Sequence, residues 1–308
     1  MSMLLGALAP IVVCLGLGFL AGARHDFTAP QAAVLNRMVM LYALPLSLFA
    51  GVMAVPRERL FSNLAVLAWI VGAMTVGWVV VFAVARYWAR RPAPVAALQA
   101  LAISSPAVPF VGSSVLPDLF HSEAALAIAI GSLVVNIVQV PMAMAVLTRA
   151  GLTRAGLTAG ANLRRTFAEP VVWSPLAAFA LVALGVGLPR AVAGSLTLLG
   201  QATGGVALFA SGATMFAQKV SVSRMVWVNV AARNLLMPAL VWGLMAAAGV
   251  GGSTTALVVA TLAIPSGSIG TILAIRFETA TRELASTLFV STVTSALTMG
   301  LFLFWTGA

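Results

Sequence analysis

Charge is scarce in this sequence, and acid is scarcer than base. Only 8% of the 308 residues are charged, with seven Asp+Glu against 17 Lys+Arg and a net charge of +10. The carboxylates Asp26, Glu58, Asp118, Glu123, Glu169, Glu278 and Glu283 all fall in predicted loops or at predicted span ends. No predicted span centre holds one, which argues against cation exchange or proton pumping as the main task, since such proteins usually keep a carboxylate there. There is one cysteine, Cys14, which excludes an intramolecular disulfide and a cysteine-based metal cluster. The two histidines, His25 and His121, are loop residues without the spacing of a metal or triad motif. A buried Asp pair, a Ser–His dyad or a zinc motif is also missing, so the sequence makes no case for an enzyme. The basic excess sits in short loops between apolar runs. No basic domain stands outside them to bind nucleic acid.

Hydrophobic residues are abundant instead. They make up 61% of the chain, the mean hydropathy is +1.07, and the class is a polytopic membrane protein. With about 20 residues per crossing, ten spans are predicted over 3–23, 33–55, 61–88, 95–119, 124–147, 167–188, 191–217, 225–249, 253–275 and 284–307. The first has no Lys or Arg before its apolar run, so it reads as a span and not as a signal peptide. Loops are short. The longest, 148–166, divides the spans into two sets of five, giving a first repeat over 1–150, a connecting loop over 151–166 and a second repeat over 167–308.

Loop charge sets the orientation. Arg24, Arg37, Arg86, Arg90, Arg91, Arg149, Arg154, Arg164, Arg165, Lys219, Arg224, Arg276 and Arg282 flank one side, and only Arg57, Arg59 and Arg190 the other. By the positive-inside rule both termini face outward and the connecting loop is cytoplasmic. The halves repeat at an offset of 160: Pro10-Ile11-Val12 meets Pro170-Val171-Val172, Leu48-Phe49-Ala50 meets Leu208-Phe209-Ala210, and Glu123 meets Glu283. Five spans per repeat is an odd number, so the second copy is inverted in the membrane, the pattern of a secondary carrier.

Spans four and nine are interrupted. Leu101–Ser114 reads LAISSPAVPFVGSS, and Leu262–Thr271 reads LAIPSGSIGT, with Leu101-Ala102-Ile103 matching Leu262-Ala263-Ile264 and Ser105 matching Ser266. Two prolines three apart, Pro106 and Pro109, should stop the first helix. Backbone freed inside hydrocarbon must find partners in protein or line a water-filled cavity, and that is how transporters present backbone to substrate and ions. The candidate binding residues at the breaks are Ser104, Ser105, Pro106, Ala107, Pro109, Pro265, Ser266, Gly267 and Ser268. Asn136 and Gln139 share a face of span five, and Ser295 and Thr298 hold the equivalent places in span ten. The alternative for these hydroxyls and amides is ordinary interhelical hydrogen bonding. Arg233, with Asn234 beside it, is the one ionisable residue well inside a span. It reads either as a selector for anions or as a snorkelling side chain reaching the cytoplasmic interface. No cofactor is called for, and the coupling ion, H⁺ or Na⁺, stays open.

LNRMVMLYALPLSLFAGV (35–52), SPAVPFVGSSVLPDLF (105–120), VALFASGATM (206–215), NLLMPALVW (234–242) and AIPSGSIGTILAIRFE (263–278), in this order and spacing, resemble the auxin efflux carrier family, in particular its bacterial malonate- or malate-type members. The resemblance covers essentially the whole chain. It implies an all-α polytopic membrane protein of ten transmembrane helices, built as two inverted five-helix repeats with broken, crossing helices four and nine. It further implies a scaffold of helices 1, 2, 6 and 7 that also forms a homodimer, and a transport domain of helices 3–5 and 8–10. Prolines sit at the crossing in the family, and Pro106 or Pro109, with Pro265, matches that role. Members often place an asparagine near the span-four break, where this chain has Ser105 and Ala107, and Gly205 stands where a proline is common. The function implied is secondary or facilitative transport of a small organic anion, a carboxylate such as malonate or another dicarboxylate, across a bacterial inner membrane. Two alternatives remain: a sodium-coupled bile-acid-type symporter, and a ligand-binding membrane receptor without flux.

Overall fold

The computed structural model describes residues 2–54, 64–150, 170–217 and 221–307. The connecting loop and its Arg154, Arg164 and Arg165, together with Arg57, Glu58, Arg59, Glu169 and Lys219, lie outside the described residues. The helices in chain order are α1 (Ser2–Ala23), α2 (Ala29–Met38), α3 (Leu44–Met53), α4 (Leu64–Ala83), α5 (Ala93–Ser104), α6 (Ser113–Phe120), α7 (Ser122–Leu133), α8 (Val140–Arg149), α9 (Pro170–Ala183), α10 (Arg190–Gly200), α11 (Ala202–Ala217), α12 (Arg224–Ala231), α13 (Met237–Ala247), α14 (Gly252–Ala263), α15 (Ile269–Arg276) and α16 (Thr281–Thr306). No strand occurs among the described residues. The sole β feature there is one isolated antiparallel bridge between Pro106 and Ser266.

Among the described residues, six helical runs are long and apolar enough to cross a membrane: Pro30–Met53, Leu64–Trp88, Glu123–Leu147, Arg190–Thr214, Arg224–Ala247 and Thr281–Thr306. Shorter apolar helical stretches among the described residues, Val13–Ala23, Ala93–Ser104, Trp173–Ala183 and Gly252–Ala263, overlap parts of the other four predicted spans. Two of these, α5 and α14, are short because the chain breaks at their C-terminal ends.

Wide π-turns over Val39–Ala43, Val134–Gln139 and Ala232–Leu236 join α2 to α3, α7 to α8 and α12 to α13 into continuous helices. Each is followed by a proline at the second position of the next segment, Pro45, Pro141 and Pro238. A proline ring clashes with the carbonyl four residues earlier and cannot donate to it. Widening the preceding turn relieves that clash without breaking the rod.

The described chain forms two compact units, 1–68 with 108–133 and 167–219, and 69–107 with 134–166 and 220–308. The division runs inside α4 and places α6 and α7 with the first unit. In that unit α1 lies along α11 at very close range. A Cβ at Gly212 would press on the Leu15 carbonyl and sit 2.8 Å from the Phe19 backbone nitrogen, and one at Gly18 would sit 2.8 Å from the Phe209 carbonyl carbon. Edge-on aromatic pairs Phe19–Phe216 and Phe27–Phe209, with centroids 5.5 and 5.2 Å apart, flank the contact. Elsewhere in the unit Val52, Ala129, Ala178 and Val182 form a buried cluster. The Ser174 hydroxyl donates to the Pro45 carbonyl.

The second unit is organised around the two interrupted helices. Ala96 to Ser104 of α5 and Thr255 to Ala263 of α14 are buried without a gap. Small residues dominate both runs, AALQALAIS and TALVVATLA, so neighbours approach from every side. Trp78, stacked on Phe82 at 5.2 Å, packs with Ala97, Leu98, Ala100 and Leu101 of α5, Ala143 and Leu147 of α8, and Leu273 and Ala274 of α15. Ser223 caps α12 by accepting from the Val226 amide at 3.3 Å, which fixes where the arginine-bearing helix begins.

The α1–α11 contact generates a direct test. Gly212→Ala should destabilise the purified protein by about 1–3 kcal/mol through overpacking, read as a lower thermal midpoint in detergent. Gly16→Ala, on the partner helix α1 at a place where an added Cβ meets nothing within 4 Å, should leave the midpoint unchanged or raise it.

Candidate functional site

The first break is confined to three residues. α5 ends at Ser104, Ser105 turns extended (φ −101°, ψ 100°), and the chain is helical again from Val108. The stop expected of the proline pair thus falls around Pro106, and Pro109 stands beyond it. It lies in the first turn of the next segment, where a missing N–H is tolerated because that turn has no intrahelical acceptor to reach. The second break spans Ile264 to Ser268, between α14 and α15. The two breaks pair with each other: the Ala107 amide donates to the Pro265 carbonyl at 2.9 Å, and the Gly267 amide to the Ser105 carbonyl at 2.8 Å. A side chain at Gly267 would put its Cβ 3.0 Å from the Ser105 carbonyl oxygen, so the close approach favours glycine.

Ending a helix in an apolar interior strands its last carbonyls. At α5 each is met. Leu101 O accepts from the Ser105 amide (2.9 Å), Ala102 O from the Ser266 hydroxyl (2.8 Å), Ile103 O from Arg233 Nη1 (2.9 Å), Ser104 O from Gln139 Nε2 (3.3 Å) and Ser105 O from Gly267. At α14 the same guanidinium serves again. Arg233 Nη2 donates to Leu262 O at 2.8 Å and to Ile264 O at 2.5 Å, and Nε donates to Ile264 O at 3.1 Å. Arg233 is fully buried, and every one of these bonds ends on a backbone carbonyl.

The cause is electrostatic as well as geometric. The C-terminal end of a helix carries about half a unit of negative charge. Two such ends, from helices of 12 residues each, converge on one planar cation whose donors fan outward. Hydrogen bonds to a charged group contribute about 1.5–3 kcal/mol each. No Asp or Glu is buried among the described residues, so carbonyl dipoles are what offsets the desolvation of this charge. Arg233 does not reach for an interface. Its side chain points to the crossing.

Gln139 is the second clamp. Fully buried, it donates from Nε2 to Met74 O (2.8 Å) and Ser104 Oγ (3.1 Å), and its Oε1 accepts from the Ser105 hydroxyl at 2.5 Å. Asn234 is the third. It donates from Nδ2 to Ser291 O and Thr294 Oγ1, both at 2.9 Å, and accepts from the Ser291 hydroxyl, which in turn accepts from the Ser266 amide at 2.9 Å. Gln139 and Asn136 ride on the Val134–Gln139 π-turn, and Arg233 and Asn234 on the Ala232–Leu236 one.

The structure thus brings Ser104, Ser105, Pro106, Ala107, Gln139, Arg233, Asn234, Pro265, Ser266 and Gly267 together and buries all ten. Pro109, Asn136 and Ser268 are half-buried. Ser295 is buried one turn beyond Ser291 and donates to the Thr292 carbonyl of its own helix at 2.7 Å.

Two arrangements escaped sequence reasoning. A polar layer lies one helical turn from the crossing. The Arg91 guanidinium donates to both oxygens of Glu283 (2.8 and 2.6 Å), Asn229 Nδ2 donates to Glu283 (3.3 Å) and Thr287 (3.2 Å), and Gln99 Nε2 donates to Asn229 Oδ1 (2.6 Å). The signal was present: Asn229 precedes Arg233, Gln99 precedes Ile103, and Thr287 precedes Ser291, each by four residues. The second is a concavity of about 380 Å³ within the first unit, where Ser47 of α3, Ser113 of α6 and Thr197 of α10 line the wall with Gln201. These residues are far apart in sequence, so no local pattern announces it.

A family model described as "Membrane transport protein" matches residues 3–303. Proteins described as "Uncharacterized transporter YfdV", from Escherichia coli strain K12, Escherichia coli O157:H7 and Shigella flexneri, are each 32% identical over 311 residues, spanning 99% of this chain and 98% of theirs.

Gln139→Leu would leave the Ser104 carbonyl without this donor and the Ser105 hydroxyl without its acceptor, at about 1–3 kcal/mol for each group left unpaired. The expected outcome is a lowered thermal midpoint in detergent. An unchanged midpoint would show that the amide does not hold the break.

Proposed function

We propose that this chain, which belongs to the membrane transport protein family of auxin efflux carriers, carries a small organic anion across a bacterial inner membrane by alternating access. The family is one of transporters and not of enzymes. The observation that carries the substrate class is the crossing: a buried guanidinium joins two broken helices with no buried carboxylate among the described residues to neutralise it. A site with surplus positive charge and low dielectric walls favours anions. A carboxylate of malonate size, or another dicarboxylate, suits a crossing already lined by hydroxyls and amides. Ser105, Ser266, Ser268, Asn136 and Gln139 are the residues that would meet it once the crossing opens, with Arg233 setting the field.

The ten predicted spans, arranged as two inverted repeats, supply the mechanism. The helices that bear the breaks move as one body, and the breaks keep it closed to hydrocarbon at every stage because their backbone is already paired. A homodimer held through the remaining helices, and both termini on the outer face, complete the proposed arrangement.

The test is thermal stabilisation of the purified protein by malonate, malate, succinate, indole acetate and taurocholate, each with and without Na⁺, followed by flux in liposomes. A ligand that binds only the native state at about 100 times its Kd adds about 2.7 kcal/mol. Stabilisation and flux with a dicarboxylate are expected. Stabilisation by taurocholate alone and only with Na⁺ would replace this reading with a bile-acid-type symporter, and binding without flux would replace it with a receptor. Pro265→Ala adds an N–H inside the second break and lets α14 extend. It is expected to abolish flux while the protein still inserts and unfolds cooperatively.

A further inference from the structure

We propose that the Arg233 guanidinium is a resident substitute for a coupling cation, so that the anion moves without Na⁺ or K⁺, and that removing this side chain creates a cation-binding site. The proposal rests on the carrier reading above and names the coupling of that same site.

Three carbonyl oxygens converge at the crossing: Ile103 from the end of α5, and Leu262 and Ile264 from the end of α14. Unwound carbonyls at the C-terminal ends of half-helices are the groups with which broken-helix carriers hold Na⁺. Here they are already engaged. Four hydrogen bonds from one guanidinium reach all three oxygens, and Arg233 is completely buried. A metal ion at the same oxygens would have to displace the guanidinium, and a metal ion beside it would meet an unneutralised like charge in a low-dielectric setting. No buried Asp or Glu among the described residues stands ready to accept that second cation.

The attachment matters as much as the charge. A free coupling cation must bind and be released in each cycle, which makes flux depend on its concentration. A side chain anchored on α12 and its π-turn stays in place through the cycle. The turn itself holds it: Asn234, the next residue, is tied to Ser291 and Thr294 of α16, so the backbone that presents Arg233 is fixed from the other side. The α5 end is also held independently by Gln139 and Ser266. Loss of the guanidinium therefore leaves a cavity lined by oxygen acceptors in a framework that other residues still support.

Two arms test this. In the first, liposomes with the unaltered protein take up the dicarboxylate in media containing Na⁺ or only N-methyl-D-glucamine. Equal rates are expected. A fall of more than about fivefold without Na⁺, within the usual range of ligand coupling, overturns the proposal. The second arm needs no transport substrate. Purified Arg233→Ala is titrated with millimolar guanidinium or Na⁺ while its thermal midpoint is followed, and Arg233→Lys and the unaltered protein are the comparisons. A saturable rise in Arg233→Ala alone is expected, and the same titration should restore uptake in that variant. Identical responses in all three proteins overturn the proposal. Should Arg233→Ala fail to fold, Arg233→Gln takes its place and the first arm still decides. Should no acid be transported by any of them, the carrier reading fails while the titration still decides whether the crossing accepts a cation.

Discussion

Everything in the second unit depends on how backbone carbonyls are satisfied where two helices stop inside an apolar interior. Each backbone group left unpaired in hydrocarbon costs several kcal/mol. Arg233 meets three such carbonyls on two helices at once. No other side chain type does this: lysine is a point charge with three donors on a flexible stem, whereas arginine fans five donors in one plane. The position of α12, the depth of its π-turn and the mutual pairing of the breaks all follow from placing that plane between α5 and α14.

The remaining polar residues are arranged to make that placement unique. Gln139 fixes the α5 end from the α8 side, Ser266 ties the second break to the first, and Asn234 with Ser291 fixes the turn that carries Arg233. Each is a buried group whose misplacement would leave a donor or acceptor unpaired, so alternative registers are penalised. Small residues allow the approach. The buried runs rich in Ala, Ser, Thr and Val in α5 and α14 bring backbones close enough for side chains from neighbouring helices to reach carbonyls. The first unit uses the same device differently. Gly18 and Gly212 let α1 and α11 pack almost backbone to backbone.

Much of this was legible beforehand. Hydropathy gave the helical class and the positions of the apolar runs, and proline with glycine in two matched stretches marked both interruptions. Four of the residues singled out in the spans, Asn136, Gln139, Arg233 and Asn234, lie on proline-induced π-turns, a connection visible from Pro141 and Pro238 once the turn chemistry is considered. Of the pair Pro106 and Pro109, only the first stands in the break itself, because a proline in the first turn of a helix is tolerated and sequence does not say where that turn begins. The Arg91–Glu283–Asn229–Gln99 layer was missed because its members come from four separate segments and look individually like loop and span-end residues.

The sequence by itself determined that this chain lives in a membrane, where its helices are interrupted, and that one arginine stands alone among apolar residues. Those properties are local: they depend on composition and on the conformational limits of proline and glycine. Only the tertiary structure decided what the arginine does. Whether a buried cation snorkels, meets a ligand or caps backbone depends on which carbonyls lie within 3 Å of it, and Ile103 and Leu262 are 130 and 29 residues away along the chain. Hydrogen bonding over such separations is set by packing, and packing is a property of all the helices together.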